Sequence, residues 1–282
     1  MEKMIQYCTN ASLFDGDFIG AGAWPAAGMG YVFVSENNRL IVVDGGHGVD
    51  AEALTDLLTE QAGGGIPSVD LWIVTHPHGD HYGALQEIAA REDLRKRINV
   101  KKMVYYFPEE FRSKNGKAPC GKANRHMESI CQSLGTPVRV PTEGERIRVD
   151  SLELTFLFVP TDCSCIDNPN SLSLIFTVQG SRRRVMMTGD AFPDTLQYCV
   201  EHYGEALQCD ILQLPHHGLC DTGYPDFYRL VNAKVLFDPI SKAGDEAMKS
   251  GFYGDLTAAN LVAEEMAEEI HYAYEGTLLY EF

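Results

Sequence analysis

The chain has 282 residues, of which 45% are hydrophobic and 22% charged, a balance that suits a folded globular protein and excludes a disordered or fibrous one. With 40 acidic against 23 basic residues the formal charge is −17. That charge argues against long nucleic acid as a partner, because such binding depends on Lys and Arg neutralising phosphates.

The segment ending at residue 35 is rich in Gly and Ala and closes in a strand, Tyr31 to Ser35. Asn37-Asn38 makes a turn, and Leu40 to Val43 is a second apolar strand. A loop follows, Asp44-Gly45-Gly46-His47-Gly48. Asp50 suits the N-cap of a helix to Gln61, with Ala53, Leu54, Leu57 and Leu58 on one face, and Gly63-Gly64-Gly65 ends it. Leu71 to Val74 reads as a strand buried on both faces. Next come a His-rich loop, a helix from Tyr82 to Ala90 and a strand from Val100 to Phe107. Residues 108 to 123 read as a loop or mobile insert, and Asn124 to Leu134 as a helix.

The second half is rich in strands: Glu145 to Val149, Leu152 to Val159, Ser171 to Gln179 and Arg184 to Thr188. The densest basic run, Arg182-Arg183-Arg184, follows Gly180-Ser181 and reads as a solvated hairpin turn rather than a phosphate patch. A helix is expected over Pro193 to Tyr203, short strands over Ile211 to Leu214 and Val235 to Phe237, and a helix over Leu256 to Glu268. Ile270 to Tyr274 and Thr277 to Glu281 read as a closing hairpin. No repeat or low-complexity linker divides the chain, so residues 1–282 are expected to form one domain.

None of the eight cysteines, at 8, 120, 131, 163, 165, 199, 209 and 220, forms a C-x-x-C pair, which argues against a zinc ribbon or a thioredoxin-type site. Cys163 and Cys165 flank Ser164 in a polar loop, where plain loop cysteines are favoured over a redox pair or a soft metal ligand. Met1 to Tyr7 lacks the apolar run of a signal peptide, and no stretch of about 18 apolar residues could span a bilayer. A cytoplasmic protein with reduced thiols and no membrane contact is the expectation.

The chemistry concentrates in residues 75 to 81, Thr-His-Pro-His-Gly-Asp-His. His76, His78, Asp80 and His81 are the donor types that suit zinc, manganese or iron. They follow an apolar strand, and a tight loop at a strand end can aim several side chains into one cavity. Pro77 stiffens such a loop and Gly79 permits unusual dihedrals.

This His-x-His-x-Asp-His run resembles the signature of the metallo-β-lactamase superfamily. Asp44-Gly45-Gly46 resembles its first motif, whose Asp supports the metal loop. Gly189-Asp190, after Val185-Met186-Met187-Thr188, resembles the motif supplying a bridging carboxylate. Leu214-Pro215-His216-His217-Gly218 resembles the motif supplying the last histidine. The order Asn170-Ser171-Leu172, then Thr188-Gly189-Asp190, then Pro215-His216-His217-Gly218 is similar to the hydrolase domain of the DNA-uptake protein ComEC and to bacterial phosphorylcholine esterases. The membrane channel of ComEC is absent from this sequence.

The resemblance implies an α/β fold, the αββα sandwich of two mixed sheets flanked by helices, and a binuclear metallohydrolase with two divalent ions, zinc first and manganese or iron as alternatives. It implies a first site of His76, His78 and Asp190, and a second of Asp80, His81, Asp190 and His217. Asp44, Asn170 and Ser171 are supporting residues. Asp80 is also a candidate for orienting the attacking water, and His216 for meeting substrate phosphate and protonating the leaving group. The two final histidines could exchange roles. β-Lactamases use a further histidine before the Gly-Asp motif. Here His126 is the sole candidate, and it lies on an expected helix rather than a strand end.

The leading functional reading is cleavage of a phosphodiester in a small phosphate-containing substrate by a metal-bridged hydroxide. The runner-up is hydrolysis of a lactone, thioester or β-lactam. A metal-binding regulatory protein without turnover is the third. The oligomeric state is left open by the sequence.

Overall fold

The computed structural model describes residues 1–16, 28–113, 116–161, 168–219, 223–250 and 258–282. The first half begins with strand β1, Lys3–Gln6, followed by β2, Gly30–Val34, and β3, Leu40–Asp44. Helix α1, Ala51–Gln61, buries Ala51, Leu54, Thr55 and Leu58, the three- and four-residue spacing of one helical face. Strand β4, Ser68–Ile73, leads into helix α2, Gly79–Ala90. Two short pieces follow, β5 at Asn99–Val100 and β6 at Met103–Val104. Strands β7, Glu110–Ser113, and β8, Gly116–Pro119, pair with each other. Helix α3, Gly121–Leu134, ends on Gly135 in the left-handed conformation, and β9, Val138–Arg139, closes this half.

The second half runs β10, Arg146–Val149; β11, Leu152–Phe158; β12, Ile175–Gln179; and β13, Arg184–Met187. Helix α4, Pro193–Tyr203, precedes β14, Ile211–Gln213. Helix α5, Pro225–Val231, leads to β15, Val235–Asp238. Helices α6, Lys242–Lys249, and α7, Ala258–Met266, come before β16, Glu269–Tyr272, and β17, Leu278–Glu281.

Apart from the β7–β8 pair, these strands form two mixed sheets. One has the order β17-β1-β2-β3-β4-β6-β9, with β5 beside β4; the other is β10-β11-β12-β13-β14-β15-β16. Their inner faces meet in an apolar layer: Met4, Tyr31, Phe33, Ile41 and Ile73 from the first sheet, Phe156, Phe176, Val185, Ile211 and Phe237 from the second. The outer faces carry the helices, through residues such as Leu54, Leu58, Trp72, Leu85, Ile88, Met186, Leu196, Leu212 and Phe227. This is the αββα sandwich of two mixed sheets flanked by helices that the motifs imply. Strands β2, β3 and β15 are buried along their whole length, which explains their near-continuous apolar runs.

Several boundaries differ from the sequence expectation. Helix α2 starts at Gly79 rather than Tyr82, because His78 is extended (φ −108°, ψ 147°) and the chain turns helical directly after it. Asp80 and His81 therefore sit in the first helical turn. The single strand expected over Val100 to Phe107 is reduced to the two-residue pieces β5 and β6. The expected loop 108–123 contains the β7–β8 hairpin and the start of α3. Pro169–Leu172 is a 3-10 turn capped by the Asn168 side chain, so the strand begins at Ile175 and not Ser171. The closing hairpin does not exist: β16 pairs in parallel with β15, while β17 crosses to the other sheet and pairs with β1. The sequence reading also did not anticipate β1, α5 or α6.

The arginine run is divided by the β12–β13 turn. Arg183 bonds the Tyr280 hydroxyl, and Arg184 donates to the carbonyls of Ala206 (3.0 Å) and Gln208 (3.2 Å). No described helix is long and apolar enough to cross a membrane.

Candidate metal centre

Parallel strands in both sheets deliver the polar residues. Strands β3 and β4 run parallel in the first sheet, and β13, β14 and β15 in the second. Asp44 ends β3; Thr75 and His76 follow β4; Gly189 and Asp190 follow β13; His216 and His217 follow β14; and Asp238 ends β15. Side chains beyond the carboxyl ends of parallel strands converge in the crevice where αβ folds place ligands.

Asp44 is fully buried and has a positive φ of 56°. Its Oδ1 accepts from the Thr75 amide (2.8 Å), and its Oδ2 accepts from the Thr75 hydroxyl (2.8 Å) and lies 2.8 Å from His81 Nδ1. That contact leaves Nε2 of His81 facing the cavity. There it lies 3.2 Å from Asp190 Oδ1 and 3.7 Å from Asp80 Oδ2.

The turn carrying Asp190 is held by two buried side chains, Ser173 and Gln213. The Asp190 amide donates to Ser173 Oγ (2.9 Å). The buried Gln213 side chain accepts from the Thr188 and Gly189 amides (2.8 and 2.9 Å) and donates to the Gly189 carbonyl (3.0 Å). Gly189 has φ +55°, and a Cβ there would lie 2.9 Å from Ser173 Oγ and 3.0 Å from Thr75 Cβ, so the turn requires glycine. Sequence reasoning missed Ser173, Gln213 and Thr75. Thr75 opened the His-rich run and Ser173 directly followed the Asn170-Ser171-Leu172 motif, but nothing in their spacing marked them. Gln213 carried no signal beyond being a polar residue in an apolar strand.

The loop after β14 turns sharply. His216 and His217 are both left-handed (φ 49° and 54°). His217 is buried, with Nε2 3.2 Å from Asp80 Oδ2 and 3.5 Å from Asp190 Oδ2. The His216 ring lies on Phe192 at 5.2 Å, and its amide donates to the Gly189 carbonyl (3.1 Å), tying the two second-sheet motifs together.

The structure thus brings six of the sequence candidates into two overlapping sets of donor atoms. One is Asp80, His81, Asp190 and His217; the other is His76, His78 and Asp190. In the second set His76 Nε2 lies 3.5 Å from Asp190 Oδ2 and 3.0 Å from His78 Nδ1. Asn170 and Ser171 join neither set. Ser171 Oγ donates to Asp194 (2.7 Å), and the Asn170 amide donates to the Asn168 side chain (2.9 Å). His126 stands apart on α3, with Nδ1 3.4 Å from the Tyr82 hydroxyl. Cys163 and Cys165 lie outside the described residues.

The donor atoms suit a metal better than they suit one another. Nε2 of His81, Nε2 of His217 and Oδ1 of Asp190 are buried without a hydrogen-bond partner. Yet they sit 3.2–3.7 Å from the neighbouring carboxylate oxygens or imidazole nitrogen. Two ligands of one tetrahedral zinc, each about 2.0–2.1 Å from it, are about 3.3 Å apart. The spacing is that of ligand edges around a cation. Leaving such atoms orphaned in the interior would be costly.

Burial, then the neighbouring His81, holds the His76 imidazole well below its ordinary pKa, and burial lowers His78 too. Both therefore present neutral lone pairs. Burial alone would also lower His81 and His217. Asp190 leads the carboxylates that reverse this, taking His81 well above its usual range and His217 up to about 9. Burial alone would raise Asp80 and Asp190, but His81 foremost and His217 hold both below the ordinary carboxylate range. Burial, then Glu264, pushes Asp238 upward.

The family model of the metallo-beta-lactamase superfamily matches residues 27–222, and the chain belongs to that superfamily. Solved structures with the same fold include the metallo-beta-lactamase fold protein YhfI from Bacillus subtilis (11% identity, TM-score 0.57, all of both chains covered). Zn2+-bound PqqB from Methylobacterium extorquens is similar at 10% identity and TM-score 0.56, again over all of both chains. CmlA, a diiron beta-hydroxylase from Streptomyces venezuelae, is similar at 13% identity and TM-score 0.51, over 99% of this chain and 54% of that one. No curated protein matches the sequence.

Proposed function

We propose that the protein is a binuclear metallohydrolase that cleaves a phosphodiester in a small phosphate-containing substrate. The observation that carries the binuclear part is the sharing of Asp190 by both donor sets. In this reading His76, His78 and Asp190 hold one divalent ion, and Asp80, His81, Asp190 and His217 hold the other. The imidazole and carboxylate donors favour zinc, with manganese or iron as alternatives. PqqB was solved with zinc and CmlA is a diiron protein, so relatives of this fold span both choices.

Bound divalent ions supply a Lewis acid and lower the pKa of water from about 15.7 towards about 7. The chain's own residues set the geometry. Asp44 and Thr75 fix the His81 ring, while Ser173 and Gln213 fix the turn that carries Asp190. Asp80, in the first turn of α2, faces His217 and is placed to orient the attacking water. His216, against Phe192, is the candidate to meet substrate phosphate and protonate the leaving group.

Two features favour a phosphodiester over a carbonyl substrate. The first is the Asn-Ser-Leu, Gly-Asp, Pro-His-His-Gly order, which resembles that of ComEC-like hydrolase domains and phosphorylcholine esterases. The second is that His126, the candidate for the further β-lactamase ligand, joins neither donor set. The net charge of −17 favours a small substrate over long nucleic acid. A cytoplasmic location completes the proposal, consistent with the free thiols of Cys8, Cys120, Cys131, Cys199 and Cys209.

The test is a substrate panel with metal-reconstituted protein: a chromogenic phosphodiester, a lactone, a thioester and a β-lactam. The expected result is turnover of the phosphodiester at least about tenfold above the others. Preference for a carbonyl substrate would move the assignment to the runner-up. No turnover on any of them by protein holding two metal equivalents would favour a regulatory, metal-binding role.

A further inference from the structure

His81 and His217 both turn Nε2 towards Asp190, but their other ring nitrogens have different surroundings. Nδ1 of His81 meets Asp44 at 2.8 Å. Nδ1 of His217 is buried and has no hydrogen-bond partner. A histidine that gives the Nε2 lone pair to a cation must carry its proton on Nδ1. A buried N–H with no acceptor is left unsatisfied, which destabilises that tautomer.

The Asp238 side chain lies against the residue that follows His217, without a hydrogen bond or ion pair to the His217 ring itself. Gly218 is left-handed (φ +66°), and a Cβ on it would fall 2.6 Å from Asp238 Oδ2 and still closer to Oδ1. The absent side chain is what admits the carboxylate. Among the described residues its single hydrogen bond comes from the Ile240 amide to Oδ1 (3.1 Å), which leaves acceptor capacity on a buried group. The loop is anchored beside it: Asn260 donates to the Gly218 carbonyl (2.7 Å) and accepts from the Tyr228 hydroxyl (2.7 Å). Asp238 ends a strand of the second sheet as Asp44 ends a strand of the first.

We propose that Asp238 is a positioning residue for His217, accepting a hydrogen bond from its Nδ1–H when Nε2 binds a divalent cation. The inference rests on the metal-site reading above. The two sheets then use one device, a buried strand-end aspartate behind a ligand histidine. Carboxylate partners of this kind fix the tautomer and ring orientation of metal-bound histidine, and losing one lowers affinity about 10- to 100-fold.

The experiment is zinc titration of wild-type protein, Asp238→Ala and Asp238→Asn against a chelator, with histidine-ring 15N NMR of each zinc-loaded protein. Wild type should bind two equivalents and show an exchange-protected Nδ1–H from His217. Asp238→Ala should bind the first equivalent normally, weaken the second about 10- to 100-fold and lose that resonance. Asp238→Asn keeps an acceptor oxygen, so it should recover most of the affinity and shift the resonance. Should Asp238→Ala fail to fold, the Asn variant decides by the resonance alone. An unshifted Nδ1–H signal, or wild-type affinity for the second equivalent in both variants, would overturn the role of Asp238. Wild-type protein binding no second equivalent would instead overturn the metal-site reading, and this inference with it.

Discussion

The two sheets furnish the candidate site by different means. The first supplies His76, His78, Asp80 and His81 as one run at the end of β4 and the start of α2. Local geometry sets most of their relative positions, an extended His78 and then a helical turn, with Asp44 fixing the His81 ring. The second sheet supplies Asp190 and His217 from separate strand ends. Each depends on partners distant in sequence: Ser173 and Gln213 for the turn of Asp190, and Asn260 for the loop of His217. A contiguous motif is robust because few contacts must form to shape it. A dispersed set must be positioned by the whole sheet.

The sharpest way to probe this contrast is Asp190→Ala. Asp190 contributes to both donor sets, and no first-sheet residue does. Loss of this one second-sheet carboxylate should take metal content from about two equivalents to below one. Turnover should fall about a thousandfold or more, since the shared anchor of the activated water goes with it. Elemental analysis with the phosphodiester assay reads both. Retention of two equivalents would show that the first-sheet run binds metal without its partner.

His216 and His217 test the second sheet at finer resolution. His217→Ala should empty only the site of Asp80 and His81, leaving about one equivalent and a turnover loss on the order of a hundredfold or more. His216→Ala should keep both equivalents and raise the Michaelis constant or lower turnover by about ten- to a hundredfold. If His216→Ala were the variant that lost metal, the roles of the two histidines would be exchanged.

These residues also show why one sheet was easier to read than the other. The run from His76 to His81 is legible because its meaning lies in spacing along the chain. Gly189-Asp190 and His216-His217 became legible only through their order relative to that run. Ser173 and Gln213 were not legible, because each acts through a contact that exists only after β12, β13 and β14 align. The terminal segment failed for the same reason. Nothing local told that β16 and β17 separate into different sheets, since either could satisfy its backbone bonds in a hairpin. The late start assigned to α2 came from reading Pro77 and Gly79 as a loop, although Gly79 already belongs to the helix.

Proton linkage offers a smaller but directional test of the two sheets. In the metal-free protein, burial lowers the His217 pKa but Asp190 and Asp80 outweigh it, setting it near 9. His217 therefore carries a proton at pH 7, and a metal taking Nε2 must displace it. His76 and His78, lowered mainly by burial, carry none to displace. His81 is raised as well, so affinity for the site it shares with His217 should fall at least about tenfold for each pH unit below about 9, while that for the His76 site stays nearly flat near neutrality. For folding the sign is the reverse. A pKa raised from 6.5 to about 9 stabilises the metal-free fold fully below 6.5 and loses that effect as pH rises through about 9. Calorimetry in buffers of different ionisation enthalpy should find at least one proton released at pH 7. Release of none would break the distinction.

The smallest effect is expected at His126, which belongs to neither side of the comparison. It lies on α3, with its Nδ1 at a long 3.4 Å from the Tyr82 hydroxyl on α2. Beside it is a cavity of about 150 Å³ lined by Gln86, Ala89, Ser129 and Ser133, with no carboxylate or second imidazole among them. Such a setting offers a cation nothing beyond the one ring. Tyr82 follows His81 directly, so a strained or lost contact could reach the centre only by shifting α2. One weak hydrogen bond, worth about 0.5–1.5 kcal/mol, does not move a helix packed through Leu85 and Ile88 into the core. His126→Ala should keep two metal equivalents, change turnover by less than about threefold and lower stability by about 1 kcal/mol. Metal analysis, steady-state kinetics and a urea melt check the three parts. A loss of metal as severe as that of Asp190→Ala would make His126 a ligand after all, and would favour the carbonyl-hydrolase reading over the proposed phosphodiesterase one.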